Sequence, residues 1–478
     1  MQRINKGLDA NTDYLEKVFK DCGDIVTRKF TAGNGREVYI AYFDDLSDRE
    51  MLERQVIHGL MVDINSGVFL ENAPENALIT ADIKEVYYLE NCVEEILAGN
   101  AGVIADGYER AFIISAKKVP SRGVNKPDTE ISVQGPQDAF TESLRTNTVL
   151  IRRRIRCADL KCIQLKLGKE TMTDIAVMYI DKKADERVVE KLISRLKRAK
   201  EENIFDSGYI EQLVIKDKKT PFPLVQLTER PDKAAAGLTE GRVAIICDNS
   251  PFVVLAPAVL FSFYQASEDY YQNWLISSFI RLIRTAAGLI AFTLPGLYVA
   301  VTMYDPSMLP TELSLHLAGA RMGVPVSTMT EVIALELAFE TLREAGVRMP
   351  AAVGGTLGVV GGIIIGQAAV DAGLVSPMVV IVTAVTGICG FSIPSQQLTS
   401  AYRLIKFFVI IASALLGVYG FMLSVLCVFI HLSAIESFGL PYLYPLGEKT
   451  WLKDTFFRLP LKKQSENEPV FGKKTDGM

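Results

Sequence analysis

Residues 407–430 read FFVIIASALLGVYGFMLSVLCVFI and contain no charged side chain. An α-helix rises 1.5 Å per residue, so about 20 apolar residues cross the roughly 30 Å hydrocarbon core of a bilayer. Residues 285–304, TAAGLIAFTLPGLYVAVTMY, satisfy the same requirement of length and composition. The sequence therefore predicts α-helices that span a membrane.

Charge is distributed unevenly along the chain. Residues 250–478 contain only 29 charged side chains in 229 positions, although 22% of the whole chain is charged. Such a shift indicates two parts made for two solvents, water and lipid. The predicted fold class is a soluble α+β N-terminal region of two small α/β subdomains, followed by an α-helical transmembrane domain.

The soluble region divides into two subdomains of similar texture. Strand-like runs such as VYIAYF (38–43) and DIAVMYID (174–181) alternate with charged helical segments, which is typical of small α/β units. We predict subdomain 1 at 1–155 and subdomain 2 at 156–249, with no repeat visible between them residue by residue. Because the N-terminus lacks an apolar signal segment, we expect this region in the cytoplasm.

The membrane domain is predicted at residues 250–434, and a polar C-terminal tail follows at 435–478. Basic residues precede the first span and follow the last, which favours the cytoplasm for both ends of the domain. A multi-pass topology follows. The predicted spans lie near residues 281–304, 353–370, 374–396 and 405–431.

Two segments are predicted to lie in the membrane interface. Residues 250–267 contain two prolines and are followed by Tyr and Trp residues, which prefer the headgroup level. Residues 327–344 have helical periodicity, with Glu336 and Glu340 on a charged face opposite an apolar one. Glu331 falls on the apolar face. It either meets the helix dipole from the first turn or faces a water-filled vestibule.

The second predicted span is rich in small residues. Glycines recur every four positions, at 354, 358, 362 and 366, a spacing that allows close helix packing. The alternative is a pore, because small side chains leave room for ions and a glutamine offers a polar point. The two alternatives are compatible. The pore-lining hypothesis names Gly355, Val359, Gly362 and Gln367.

Four arginines lie within five positions between the two soluble subdomains. They are Arg152, Arg153, Arg154 and Arg156. Such a cluster indicates either a site for an anion or anionic headgroup or a solvated helix with salt bridges to acidic neighbours or another subunit. Both interpretations stay open at this point.

The sequence offers little material for catalysis. It contains no P-loop, no GxGxxG after a strand, no HExxH and no GxSxG, and its three histidines are scattered. We therefore predict a protein that is not an enzyme, with no catalytic residues, metal site or cofactor. The formal net charge of −5 gives no argument for nucleic acid binding.

Long ordered motifs resemble the A-subunit family of spore germinant receptors, the GerA-type spore germination proteins. The resemblance extends from about residue 100 to residue 447, and the family also includes a sporulation stage V homologue, which this chain resembles as well. The motifs include QGPQDAFTESLRTNTVLIRRRIR (134–156), TERPDKAAAGLTEGRVAIICDNSPF (228–252), QASEDYYQNW (265–274), ARMGVPVSTMTEVIALELAFETLREAGVRMP (320–350) and IGQAAVDAGLVSP (365–377).

The resemblance implies a subunit of a nutrient receptor in the spore inner membrane that triggers germination. It implies an oligomeric channel component for monovalent cations, which opens when a transporter-like B subunit binds germinant and which also works with a C-type lipoprotein. On this basis residues 353–370 form the pore helix, and Arg152, Arg153, Arg154, Arg156 and Glu331 are candidates for coupling or interface roles. The alternatives are a germinant-binding transporter-like protein and a non-conducting scaffold subunit.

Overall fold

The structure is a computed structural model that describes residues 1–62, 83–118, 126–127, 129–199, 203–215, 219–348, 366–446, 454–460 and 471. The chain forms two compact units. The first contains Met1–Lys218, Val225–Pro257 and Ser465–Met478, and the second contains Lys219–Leu224 and Ala258–Gln464.

The first unit begins with an antiparallel five-stranded sheet in the order β1-β2-β4-β5-β3. Buried apolar residues cover both of its faces, as expected for a sheet packed between helices. The elements are α1 Leu8–Val18, β1 Ile25–Thr31, β2 Glu37–Phe43, a helical stretch (α2 Arg49–Met51, a π-helix Leu52–Ile57 and α3 His58–Val62), β3 Ile83–Val86, α4 Leu89–Leu97, β4 Ala101–Ala105 and β5 Ala111–Ile114.

A second antiparallel five-stranded sheet follows in the order β6-β7-β9-β10-β8. This is the strand order of the first sheet with every number raised by five. Its elements are α5 Leu144–Arg152, β6 Leu160–Leu167, β7 Thr173–Ile180, α6 Glu186–Arg198, α7 Ser207–Val214, β8 Gln226–Thr228, α8 Pro231–Thr239, β9 Val243–Cys247 and β10 Val253–Ala256.

The two subdomains are tandem copies of one topology, although the sequence shows no repeat. Asn11 in α1 bonds the backbone N–H and C=O of Asn5 through its side-chain amide. Asn147 in α5 bonds Thr141 in the same way, again six residues upstream. The copies share these backbone-capping positions, whereas most side chains around them differ.

The segment 250–267 differs from its predicted place in the membrane interface. Residues Val253–Ala256 form β10, which pairs with β9 and β8 inside the second sheet. All four residues of this strand are buried. A strand buried on both faces is a continuous apolar run, which explains why its sequence resembled a membrane segment.

The second unit is helical. Its long helices α9, α11, α13 and α14 meet around a core of Val299, Val332, Val379 and Ile410. The elements are 3₁₀ turns at Leu260–Phe263, Ser267–Tyr270 and Pro306–Met308, α9 Trp274–Met303, α10 Thr311–Arg321, α11 Thr328–Arg348, α12 Gly366–Asp371, α13 Pro377–Phe391, α14 Gln396–Ala434, and the short strands β11 Glu436–Ser437 and β12 Leu440–Pro441.

Two helices of this unit, α9 and α14, are long and apolar enough to cross a membrane, and α13 is a shorter apolar helix. The predicted fold class, an α+β region followed by apolar helices, is confirmed. The predicted span at 353–370 lies outside the described residues, except for its end in α12.

The tandem topology predicts equal roles for two asparagines. Replacing the buried Asn11 or Asn147 with Ala removes two hydrogen bonds between its side chain and the backbone, so each change should lower the free energy of unfolding by about 1–3 kcal/mol. Asn203→Ala is the control, because that amide bonds the exposed Glu170, and it should change the free energy by less than about 0.5 kcal/mol. Urea unfolding of the purified chain measures all three. A loss confined to one of the two asparagines would contradict their equivalence.

Candidate functional site

Arg152 lies at the junction between the two soluble subdomains. Its guanidinium forms a buried two-pronged ion pair with Asp24, in which Nη2 lies 2.7 Å from Oδ1, and it stacks 4.2 Å from the ring centre of Phe43. Burial disfavours the charged form, but the Asp24 carboxylate more than offsets this and raises the pKa of Arg152. Arg152 therefore holds the end of α5 against the strands of the first subdomain.

The other three arginines of the cluster have different environments. Arg153 and Arg156 are exposed, whereas Arg154 pairs with Asp138 at 2.6 Å. The cluster is thus divided between a buried pair, a partly exposed salt bridge and two solvated side chains. Its proposed role in coupling stays a prediction.

Of the four pore candidates, only Gln367 belongs to the part of the chain that the structure describes. It lies exposed on the short helix α12 and bonds Asp371 at 3.3 Å. Gly355, Val359 and Gly362 lie outside the described residues.

The charged face of α11 points toward the other helices of its unit. Glu336 is 1% exposed, and its carboxylate accepts a hydrogen bond from Lys406 of α14 at 2.5 Å. Leu337, the next residue, is 53% exposed. At these two positions the helix buries charge and exposes an apolar side chain, the reverse of what a helix on the surface of a soluble protein shows.

A network of five charged side chains continues from this pair. Glu340 lies 3.6 Å from Lys406, 3.2 Å from Arg403 and 3.7 Å from Arg343. Beside them is a cavity of about 20 Å³, lined among others by Thr386 and Tyr402, which is large enough for one water molecule. Nitrogen or oxygen atoms of Glu336, Glu340, Arg343 and Arg403 have no hydrogen-bond partner within the described chain.

The outer surfaces of α9, α13 and α14 are apolar. Large exposed side chains follow one another along each helix, and the most exposed of them include Phe279, Ile388, Phe391, Leu415, Tyr419 and Met422. An exposed apolar surface of this extent on three helices is suited to lipid rather than water. Charges inside and apolar groups outside form the pattern of a helix bundle in a bilayer.

Helix α14 is interrupted at Gly417. This residue has φ 62° and ψ −145°, a conformation that glycine adopts and other residues avoid. Tyr304 fills the break, because its ring lies 2.9 Å from the position of a Cβ on Gly417 and its hydroxyl donates a 2.6 Å hydrogen bond to the Ala414 carbonyl. One of the carbonyls near the break thus finds a partner inside the bundle, as a bilayer requires.

Glu331 lies in the first turn of α11, as the dipole interpretation expects. Its Oε2 accepts a hydrogen bond from the backbone N–H of Ser376, the residue that precedes α13, at 3.0 Å. The carboxylate is 1% exposed. It therefore links the N-terminal ends of two helices.

Comparison with known proteins places these features in a family. The profile described as Bacillus/Clostridium GerA spore germination protein matches residues 13–470. The chain belongs to the GerA family. This confirms the resemblance on which the expected function rests, and it extends that resemblance over nearly the whole chain.

Full-length relatives agree with this assignment. Spore germination protein KA of Bacillus subtilis (strain 168) is 39% identical over 96% of this chain and 85% of its own length. Spore germination protein A1 of the same organism is 36% identical over 94% of each chain. The uncharacterized membrane protein YfkQ, also from that strain, is 37% identical over 96% of this chain and 90% of its own. The family and the names of these relatives indicate that this chain takes part in spore germination. They are consistent with a role in a germinant receptor.

Among solved structures, the N-terminal domain of the A subunit of the Bacillus megaterium spore germinant receptor GerK3 is similar to this chain. The two are 28% identical, and the match covers 54% of this chain and 98% of that one with a TM-score of 0.40. The family assignment rests on the profile and on the full-length relatives.

The sequence did not reveal the network around Lys406. Lys406 directly precedes the uncharged run 407–430, and a basic residue in this place is typical of the flank of a membrane span. A signal was present, because Glu336, Glu340 and Arg343 share one face of a helix whose other residues are largely apolar. Only the packing of α11 on α14, 70 positions apart in sequence, shows that these charges meet.

The Arg152–Asp24 pair predicts that substitution of Arg152 lowers the free energy of unfolding strongly, whereas substitution of the neighbouring Arg153 hardly changes it. Arg152→Met leaves Asp24 buried without its cation, so we expect the free energy of unfolding to fall by about 3–5 kcal/mol. Arg153→Met alters an exposed side chain and should change it by less than about 0.5 kcal/mol. Urea unfolding of the purified chain checks both, and similar values for the two variants would refute the assignment of Arg152 to the junction.

The break in α14 predicts a strict requirement for glycine. Gly417→Ala introduces an unfavourable backbone conformation and a contact with Tyr304, so the purified chain should lose about 1–3 kcal/mol of stability in detergent. Gly390→Ala, where the nearest atoms lie 3.8 Å from the added Cβ, is the matched control and should be neutral or stabilising by up to ~1 kcal/mol. Equal effects of the two changes would mean that α14 is continuous.

Proposed function

We propose that this chain is the membrane subunit of a nutrient germinant receptor and that its oligomer forms the path for monovalent cations. The observation that carries the proposal is the buried charge network of α11 and α14 inside an apolar exterior. Charged side chains among membrane helices are costly and mark ion or substrate pathways. A helical unit of the GerA family with this interior is suited to an ion-conducting role.

The chain acts in the spore inner membrane with the N-terminal region in the cytoplasm. It works with a transporter-like B-type subunit, which binds the germinant, and with a C-type lipoprotein. Several copies pack through the glycine-rich segment 353–370, whose spacing of small residues suits close helix contacts. The same segment lines the pore with Gly355, Val359, Gly362 and Gln367.

Opening is a shift between two packings of the helical unit. Germinant bound to the partner subunit shifts the population toward one packing, because the receptor in that packing binds germinant more tightly than the receptor in the other packing. Two features of this unit support such a change. The ion pairs of Glu340 with Arg403 and Arg343 lie at 3.2 and 3.7 Å and can exchange partners, and the Gly417 break divides α14 into two segments. Because charges in lipid stay paired, the alternative packings are discrete.

A transporter-like protein that binds germinant itself is the second candidate. The interrupted helix α14 favours it, because discontinuous helices form the substrate sites of many transporters. A germinant-binding chain would bind labelled germinant after purification without its partners. The channel subunit would not, and this difference separates the two candidates. A non-conducting scaffold would show neither binding nor an effect of pore substitutions.

The pore assignment predicts a phenotype for single substitutions in spores. Replacement of Gly355, Val359 or Gly362 with a polar residue should alter the lining, so we expect cation release without germinant, or loss of release with germinant. The effect should recur with helical spacing. Release of K⁺ and Na⁺ from purified spores measures it, with the amount of receptor checked by immunoblot.

Ile388→Ala is the matched control. This side chain lies on the outer surface of α13, where it is 67% exposed, so normal cation release is expected. Normal release from every variant along 353–370, with normal amounts of receptor, would disprove the pore and leave a scaffold as the better function.

A further inference from the structure

Four buried hydroxyl or carboxylate side chains lie on or directly beside three neighbouring helices of the helical unit, apart from the Lys406 network. Tyr298 comes from α9, Thr328 and Glu331 come from one face of α11, and Ser376 directly precedes α13. Their exposed fractions are 8%, 0%, 1% and 1%. The Tyr298 hydroxyl lies close to the Ser376 hydroxyl, and the charges of Glu331 and Arg321 also act on it. The group is therefore enclosed and rich in oxygen.

These oxygens are poorly supplied with hydrogen bonds. The Thr328 hydroxyl and Oε1 of Glu331 have no hydrogen-bond partner within the described chain. The Tyr298 and Ser376 hydroxyls have only each other within reach. Leaving a buried polar group without a partner costs about 1–3 kcal/mol. Two such atoms, beside two hydroxyls that are supplied only by each other, call for a ligand that these oxygens can bind together.

Glu331 forms an ion pair with Arg321, at the end of α10. Its Nη2 lies 3.5 Å from Oε1, beyond ordinary hydrogen-bond distance, and its side chain is 25% exposed. The guanidinium is partly exposed, and its buried Nε has no hydrogen-bond partner within the described chain. Glu331 therefore has a loosely held countercharge that a small ion can replace.

We propose that Glu331, Tyr298, Thr328 and Ser376 form a binding site for a dehydrated monovalent cation, Na⁺ or K⁺. Carboxylate and hydroxyl oxygens are the ligands that hard cations prefer. A divalent ion such as Ca²⁺ uses 6–8 oxygens and several carboxylates, and this group has one carboxylate. One negative charge matches one monovalent ion, which exchanges with Arg321 for the carboxylate.

The role of this site, as a cation site in the conducting subunit, rests on the proposed function. Ion binding itself is measurable without conduction, spores or partners. Failure of the site therefore leaves the pore test unaffected, and failure of the pore substitutions leaves the binding measurement unaffected.

The test is the thermal unfolding midpoint of the purified full chain in detergent, titrated with NaCl or KCl at constant ionic strength set by N-methyl-D-glucamine chloride. We expect a saturable rise of the midpoint with Na⁺ or K⁺. Glu331→Gln should weaken the apparent cation affinity at least ten-fold. Glu344→Gln, on the same helix but exposed and paired with Arg348, should leave the affinity unchanged.

Tyr298→Phe and Thr328→Val provide an answer if Glu331→Gln fails to fold. Each removes one hydroxyl without a change of charge, so each should weaken the affinity by a smaller factor, about three-fold or more. An unfolding midpoint independent of the cation would overturn the proposal and assign these oxygens to bound water. Cation binding that is unchanged in Tyr298→Phe and Thr328→Val, or in a folded Glu331→Gln chain, would also overturn it.

Discussion

The pair between Glu336 and Lys406 is the interaction on which the helical unit depends. Both side chains are almost fully buried, and in a bilayer neither can be hydrated from outside the bundle. An isolated buried charge costs several kcal/mol, so each partner is retained only because the other is present. The pair therefore fixes how α11 docks on α14, and Glu340, Arg343 and Arg403 assemble around it.

The same constraint explains the other unusual features of this unit. Polar groups point inward, so the outer faces of α9, α13 and α14 are left to apolar residues such as Phe279 and Leu415. Where α14 breaks at Gly417, Tyr304 supplies a hydrogen-bond donor that water would supply in a soluble protein. In the soluble unit, Arg152 and Asp24 have a comparable role, joining two copies of one topology through a buried ion pair.

The sequence predicted those parts of the fold that depend on local composition. The uncharged runs 285–304 and 407–430 indicated α9 and α14, and the alternation of strand-like and charged helical segments indicated the α+β texture of the N-terminal part. Strand β10 was misplaced because a fully buried strand and a membrane segment have the same composition over a few residues. The Glu336–Lys406 contact and the tandem topology depend on packing between residues that are distant in sequence. No local pattern of residues in the sequence indicates such packing. The glycine-rich span suggested a pore, and this stays a prediction.

The most direct measurement of this account is the coupling free energy between Glu336 and Lys406. Unfolding of the purified chain in bicelles is compared for Glu336→Gln, Lys406→Met and the double variant. If the pair holds α11 on α14, the second substitution costs less once the first is present, and the coupling exceeds about 1 kcal/mol. Additivity within about 0.5 kcal/mol, with both single variants near the stability of the natural chain, would contradict the claim that inward-facing charge pairs organise the helical unit.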